Sequence, residues 1–257
     1  MRCQHSVFNN VCTFRVLSVF TLAGRGFALA SCMDWARQCA VVIPCRNEGT
    51  SIGEIVSAVR QQLPSVIVVD DGSTDDTAER AIAAGAETLR HPANQGKGAA
   101  LRTGWQRAQD RGFAWTLAMD GDGQHAPEDI SAFLSCAETT GAALVIGNRM
   151  NGASEMPWLR RQVNRWMSRQ LSNLVSFPLP DSQCGFRLVN LEALCRLPLA
   201  TQQFEIESEV LVAFLRAGCK VKFVPIQVIY KSQASKIHPL RDSWRWLRWW
   251  RAQRRRN

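Results

Sequence analysis

From Cys39 onwards, short apolar runs alternate with amphipathic stretches. Residues 40–43 are apolar and mostly β-branched, and the run stops at Pro44. Ile52, Ile55, Val56 and Val59 then recur at i, i+3, i+4 and i+7, which predicts a helix with one buried face. A second strand is expected over 66–69 and a third, short one near Thr88. A helix over 97–111 leads to an apolar strand, 115–119. Pro127, a residue suited to a first helical position, opens the next helix, and a strand follows at 143–146. Strands separated by helices of this length predict parallel βαβ units with right-handed crossovers. Beyond Met150 the regularity loosens. An Arg-rich helix over 159–175, a loop over 178–187, a helix over 207–217, a strand over 220–224 and the segment 226–230 complete the pattern. The fold class expected is α/β, a mostly parallel sheet flanked by helices. It forms one domain over 33–238, with a nucleotide-type first half and an acceptor-type second half.

In an open parallel sheet, ligands sit outside the carboxyl ends of the strands. Three strand ends here carry polar clusters: Pro44-Cys-Arg-Asn-Glu48, Asp70-Asp71-Gly72-Ser73 and Asp120-Gly-Asp122. Residues two apart in extended chain project to one side, so Asp120 and Asp122 converge where their strand leaves the sheet. A solvated Asp-Gly turn is the plainer reading of such a pair. Three acidic or polar strand ends facing one crevice favour a site instead. Two carboxylates with open positions left over suit Mg²⁺ or Mn²⁺, completed by phosphate oxygens and water. The acids after the second strand can accept hydrogen bonds from ribose hydroxyls or a base N–H, while Ser73 or Thr74 is expected to cap the following helix. Asn94-Gln-Gly-Lys-Gly98 is not a P-loop, because Gly98 stands where Ser or Thr should hold Mg²⁺. Lys97, at a helix N-terminus, either assists a diphosphate or is simply exposed.

The chain has 257 residues, 46% of them hydrophobic, and a net charge of +9, which points to an anionic partner. Nine cysteines without a C-x-x-C pair argue for reduced thiols and against a disulfide framework or zinc site. Residues 1–32 contain a short signal-like run, 16–23, but Arg25 interrupts it. We expect this segment to lie outside the fold, with Met33 as the true start. No stretch is long enough to span a bilayer. Basic charge concentrates in 241–256, with seven arginines and one acid, Asp242. At about 100° per residue, Leu240, Trp244, Trp246, Leu247, Trp249 and Trp250 share one arc, opposite Arg241, Arg245 and Arg248. A basic, Trp-rich amphipathic helix over 239–257 predicts contact with an anionic membrane surface, and packing of the tryptophans on the domain is the competing reading. Removing 241–257 is then expected to release the protein from anionic vesicles with the donor site intact.

Taken in order, these motifs resemble glycosyltransferase family 2, in its dolichol-phosphate mannose synthase-like branch. They are joined by Gly147-Asn-Arg149, Asp181-Ser-Gln-Cys-Gly-Phe-Arg187 and Ser235-Lys236-Ile, so the resemblance runs from Ala40 to about Trp250. It implies a GT-A fold that moves a hexose, of mannose or glucose type, from GDP- or UDP-hexose to a polyprenyl phosphate with inversion. Pro44, Arg46, Glu48, Val69 and Asp71 would line the nucleoside. Asp120, Asp122 and Gln124 would hold the metal and the sugar diphosphate. Arg149, Arg161, Arg165, Lys231 and Lys236 would grip donor and acceptor phosphates, although Arg161 and Arg165 also read as a solvated helix face. Arg46 departs from the family, which often has an aromatic residue there. Such an enzyme would work on the cytoplasmic face of the membrane, as a peripheral protein. A phosphate acceptor needs no general base, whereas a lipid or glycan hydroxyl, the alternative acceptor, does. Glu205, Glu207 and Glu209 are the spare carboxylates for that case. A basic nucleic-acid-binding protein is the remaining reading. Nothing in the chain supplies a recognisable nucleic-acid module, so no nucleic acid is expected as a partner.

Overall fold

The computed structural model describes residues 33–150, 156–229 and 239–255. A short helix α1 (Trp35–Gln38) leads into β1 (Cys39–Cys45), α2 (Ile52–Arg60), β2 (Val66–Asp70), α3 (Thr77–Ala83) and β3 (Glu87–Arg90). Next come α4 (Lys97–Asp110), β4 (Trp115–Ala118), a 3₁₀ turn at Pro127–Asp129, α5 (Ile130–Thr140) and β5 (Leu144–Asn148). The second half holds α6 (Trp158–Val175), β6 (Arg187–Asn190), α7 (Leu191–Cys195), α8 (Ile206–Arg216), β7 (Val221–Pro225) and α9 (Pro239–Arg254).

The seven strands form one sheet in the order β3-β2-β1-β4-β6-β5-β7. Every neighbouring pair is parallel except those made by β6, which runs antiparallel to both β4 and β5. The chain builds outwards through β2 and β3, then crosses back to place β4 on the other side of β1. That reversal opens a crevice at the carboxyl ends of β1 and β4. The antiparallel β6 has a second consequence. The chain must enter it from the carboxyl end of its neighbours, so the loop before it, 178–186, is delivered to the same crevice.

The apolar runs become the two-sided core that a parallel sheet requires. β1, β2 and β4 are buried along their whole lengths. Ile52, Ile55, Val56 and Val59 form the buried face of α2, as their spacing requires. On α4, Gly104 lets the helix approach the sheet, because a Cβ there would meet Val42 Cγ1 at 2.3 Å.

Four local expectations are corrected. β1 does not stop at Pro44, which pairs with Val69. The ladder to β4 has already ended at Val42↔Ala118, so the missing N–H is not needed on that side. Ser73 and Thr74 do not cap α3, which begins at Thr77. Ser73 Oγ instead accepts the Asn47 N–H at 2.8 Å. Third, β6 and α7 occupy a stretch where no element was expected.

The fourth correction concerns the tail. α9 docks on the domain through three of its four tryptophans; Trp244 stays 60% exposed, while Trp246 is only 3% exposed. Its Nε1 donates to Ser208 Oγ of α8 at 2.9 Å, and its ring lies 5.6 Å from Trp166 of α6 and 6.2 Å from Trp250. Leu247, Trp249 and Trp250 are partly buried against the same core. α8 explains this, because Ile206, Val210, Leu211, Val212 and Phe214 are all buried and need cover on more than one side. Trp246→Ala is therefore expected to cost about 3–5 kcal/mol, read as a lower urea midpoint. Removing 241–257 should unsettle the domain rather than detach a separable tail. Among the described residues, no helix is long and apolar enough to cross a membrane.

Candidate active site

The loops at the crevice are stitched to one another by hydrogen bonds. After β1, Asn47 adopts φ 52°, and the loop is latched to the loop after β2. Glu48 N–H donates to Thr77 Oγ1 at 2.8 Å, and Thr74 N–H donates to Asn47 Oδ1 at 2.9 Å. Ser51 Oγ donates to the Gly121 carbonyl at 2.9 Å, tying the β1 loop to the acidic turn after β4. Asp71 receives the Gln95 and Gly96 N–H groups, both at 2.8 Å, and His91 Nδ1 lies 2.8 Å from its Oδ1. This carboxylate thus shapes the loop that leads into α4 and sets Lys97 at the head of that helix.

Lys97 then bridges two acids. Its Nζ lies 2.6 Å from Asp120 Oδ1 and 2.5 Å from Glu207 Oε1. Burial alone would raise the Asp120 carboxyl, but Lys97, foremost among the neighbouring cations, outweighs it and holds it at about 2. Burial opposes the charge on Lys97 as well, yet Asp120 and Glu207 drive its pKa above the ordinary lysine value. Asp122 is half-buried, and its Oδ1 accepts the Gln124 N–H at 3.0 Å. His125 Nδ1 accepts the Asp120 N–H at 3.3 Å, and its ring stacks on Phe186 at 5.0 Å. Burial pushes this imidazole below its ordinary value, against the pull of Asp120 and Asp122. The neutral ring acts as a fixed prop under the acidic turn.

The loop before β6 closes the site. A Cβ on Gly185 would lie 2.7 Å from Asp120 Oδ2 and 2.8 Å from Lys97 Nζ, so any side chain here would push apart the ends of that ion pair. Arg187 holds this loop from beneath, donating to the carbonyls of Cys184 at 2.7 Å, Ser182 at 2.8 Å and Glu207 at 2.5 Å. Beside it, Arg149 forms a fork with Asp181, Nε to Oδ2 at 2.7 Å and Nη2 to Oδ1 at 2.9 Å. Asn164 of α6 donates to the same carboxylate at 2.9 Å. Burial works against both members of the pair. Each outweighs it for the other, so Arg149 is raised and Asp181 lowered.

Asp120, Asp122, Gln124, Lys97 and Arg149 therefore meet in one cluster. Pro44 and Val69 are buried opposite one another in the β1–β2 ladder, so they form floor rather than accessible wall. Arg46 is exposed at the rim, while Glu48 is buried behind it. Arg161 is half-buried and Arg165 exposed on α6. Lys231 and Lys236 lie outside the described residues. Sequence reasoning left three participants without a role: Asp181, which was visible only as part of a motif, Asn164, and Glu207 as counter-ion to Lys97.

The donor set suits a hard divalent cation. Both acids offer oxygen, and a cationic nitrogen already sits 2.6 Å from Asp120. Among the described residues, no group of three or more His, Cys, Asp or Glu side chains could cage a metal alone. A cation on Asp120 and Asp122 would have positions left for substrate oxygens.

A mostly parallel sheet with an inserted antiparallel strand and an acid pair at its crevice is the architecture of a GT-A glycosyltransferase. Residues 40–197 match the family described as Glycosyl transferase family 2, and the chain belongs to that family. It is 28% identical over 218 residues to a UDP-N-acetylglucosamine–dolichyl-phosphate N-acetylglucosaminyltransferase of Methanococcus voltae, covering 74% of this chain and 85% of that one. It is 32% identical over 171 residues to a polyprenol monophosphomannose synthase of Mycolicibacterium smegmatis, covering 62% and 64%. Among solved structures, glucosyl-3-phosphoglycerate synthase of Mycobacterium tuberculosis, in complex with Mn²⁺, UDP and phosphoglyceric acid, superposes with a TM-score of 0.66. That match is 22% identical and covers 84% of this chain and 77% of the other, a likeness of fold.

Proposed function

We propose that this glycosyltransferase moves a hexose from GDP- or UDP-hexose to a polyprenyl phosphate, inverting the anomeric centre, as a peripheral protein on the cytoplasmic face of the membrane. Relatives named for transfer to dolichyl and polyprenyl phosphates support the acceptor. The observation that carries the reading is the condition of four described carboxylates on the acceptor half. Glu207 is paired with Lys97 and Asp181 with Arg149. Glu205 lies 3.4 Å from Arg245 Nε, and Glu209 accepts the N–H groups of Ala200 and Thr201 at 3.0 and 2.9 Å. Each of these acids is already engaged. A hydroxyl acceptor needs a base to take its proton. A prenyl phosphate arrives as an anion and needs none.

In this reading a phosphate oxygen forms its bond to the anomeric carbon from the face opposite the diphosphate. The bond from that carbon to the diphosphate oxygen breaks, and its electron pair leaves with the nucleoside diphosphate. Asp120 and Asp122, with Gln124 in the same turn, would hold Mg²⁺ or Mn²⁺, which supplies Lewis-acid neutralisation of the departing diphosphate. Lys97 and Arg149 add positive charge to the same crevice, and the N-terminus of α4 is a favourable place for phosphate oxygens. Pro44, Arg46, Glu48, Val69 and Asp71 would position the nucleoside. Arg161, Arg165, Lys231 and Lys236 would serve the acceptor phosphate.

The test offers purified protein GDP- and UDP-hexoses with a short water-soluble prenyl phosphate, the matching prenol and a glycan hydroxyl. Transfer to the phosphate alone, lost in EDTA, is expected. Preferential transfer to either hydroxyl would overturn the acceptor assignment. Thermal shift identifies the donor base, since a ligand at about 100 times its Kd stabilises the fold by about 2.7 kcal/mol. Lys236→Ala should raise KM for the prenyl phosphate about tenfold, the loss of one charge-assisted contact, and leave donor affinity by calorimetry unchanged. An equal loss of donor binding would remove Lys236 from the acceptor side.

A further inference from the structure

Seven large apolar side chains are exposed among the described residues, and four of them, Trp158, Leu159, Val163 and Trp166, lie in the first half of α6. At about 100° per residue they fall within an arc of about 140°. That arc faces away from Asn164, Ser168 and Leu171, the buried side of the helix. Trp158 and Leu159 are each 66% exposed, too much for side chains merely waiting on the edge of a core. Arg169 falls within the arc one turn beyond Trp166, Arg165 borders it, Arg160 lies past its other edge, and the 18 residues of α6 include no acid.

We propose that α6, rather than α9, is the element this protein lays into the surface of an anionic phospholipid bilayer. The inference rests on the polyprenyl phosphate reading above. Two tryptophans, a leucine and a valine on one face, with Gln162 among them and arginines but no acid on the helix, complement a layer whose surface is anionic and whose interior is hydrocarbon. Tryptophan settles at headgroup depth, and arginine reaches lipid phosphates from the flank. α9 offers less, because Trp246, Trp249 and Trp250 are turned against the domain and Trp244 alone of its four tryptophans is exposed.

The opposite face of α6 gives the surface its purpose. Asn164 donates to Asp181 at 2.9 Å, and Ser168 Oγ donates to Ser182 Oγ at 3.0 Å. Asp181 in turn holds Arg149. One helix therefore carries a lipid-compatible face outside and the phosphate-binding half of the crevice inside. Seating it in the interface would bring the crevice to the depth at which a prenyl phosphate headgroup lies.

Sedimentation with vesicles of phosphatidylcholine, with and without about one-third phosphatidylglycerol, tests this on the full chain; attraction of basic groups to anionic lipid governs the comparison. The wild type should pellet with the anionic vesicles only, and less at high salt. The double variant Trp158→Ser/Leu159→Ser should lose binding by about tenfold, as should Val163→Glu. Both should keep their melting temperatures and their transfer to a water-soluble prenyl phosphate. Trp166 is spared because it touches Trp246. Undiminished pelleting of both variants overturns the proposal, as does a wild type that never pellets. A wild type that elutes as a dimer, split by these substitutions, assigns the stripe to a second copy and overturns it too. Absence of transfer to the soluble acceptor sinks the catalytic reading instead, whatever the vesicles show.

Discussion

Asp122→Ala is expected to lower transfer by about 10²–10³-fold, the cost of removing one group that meets charge developing in a transition state. The fold should scarcely notice. Asp122 is half-buried on the turn after β4, and its one described hydrogen bond is to the Gln124 N–H. Losing such a bond costs about 1 kcal/mol, which in a domain of this size lowers Tm by about 2–4 °C. No core cavity opens. Asp120→Asn is the contrasting variant, since its carboxylate is one of the two that compensate Lys97. It should lose activity equally and stability more. Initial rates across a Mn²⁺ titration, with melting curves on the same samples, separate the two. Full activity of Asp122→Ala in the presence of EDTA would remove both acids from the metal site.

What could be read from the sequence was what neighbouring residues decide. Apolar runs and the Ile52, Ile55, Val56, Val59 spacing report burial locally, so β1 to β5 and their helices were legible. The acidic strand ends were legible for the same reason, because each motif is contiguous. β6 was not. Its four residues open with Arg187 and close with Asn190, and they become a strand only by pairing with β4 and β5. The partners of Glu205, Glu207 and Glu209 were equally hidden. Lys97 stands 110 residues from Glu207, so the sequence could propose a spare base but not see it neutralised. The tail teaches the same point. Periodicity put its tryptophans on one arc, yet the domain takes up three of the four and leaves Trp244 exposed. On α6, a similar mixture of tryptophan and arginine is left exposed.

Asp181→Asn should be the most destabilising single substitution in the site. The Asp181 carboxylate is fully buried and Arg149 is 8% exposed, so the amide would leave a guanidinium out of water without its hydrogen-bonded counter-charge. Breaking a buried pair on one side costs about 3–5 kcal/mol, which at about 2–4 °C per kcal/mol corresponds to a Tm lowered by about 10 °C. The acid limb of stability supplies a second readout. Burial alone would raise the Asp181 carboxyl, but Arg149 outweighs it and the native pKa is lowered. Its stabilisation is therefore complete above the ordinary carboxylate value of about 3.9 and drains away as pH falls through the lower native value. Asp120 drains over the same window, from its ordinary value to about 2. The wild type should thus lose stability steeply below about pH 4, and Asp181→Asn should show a shallower slope there. Arg149→Met combined with Asp181→Leu separates structure from chemistry. Replacing both members of a buried pair by apolar side chains is often neutral, so the double variant should regain much of the lost stability while transfer stays absent. If Asp181→Asn instead melts with the wild type, the fork does not hold Arg149, and the phosphate-binding half of the crevice must be fixed by Arg187 and the glycine loop alone.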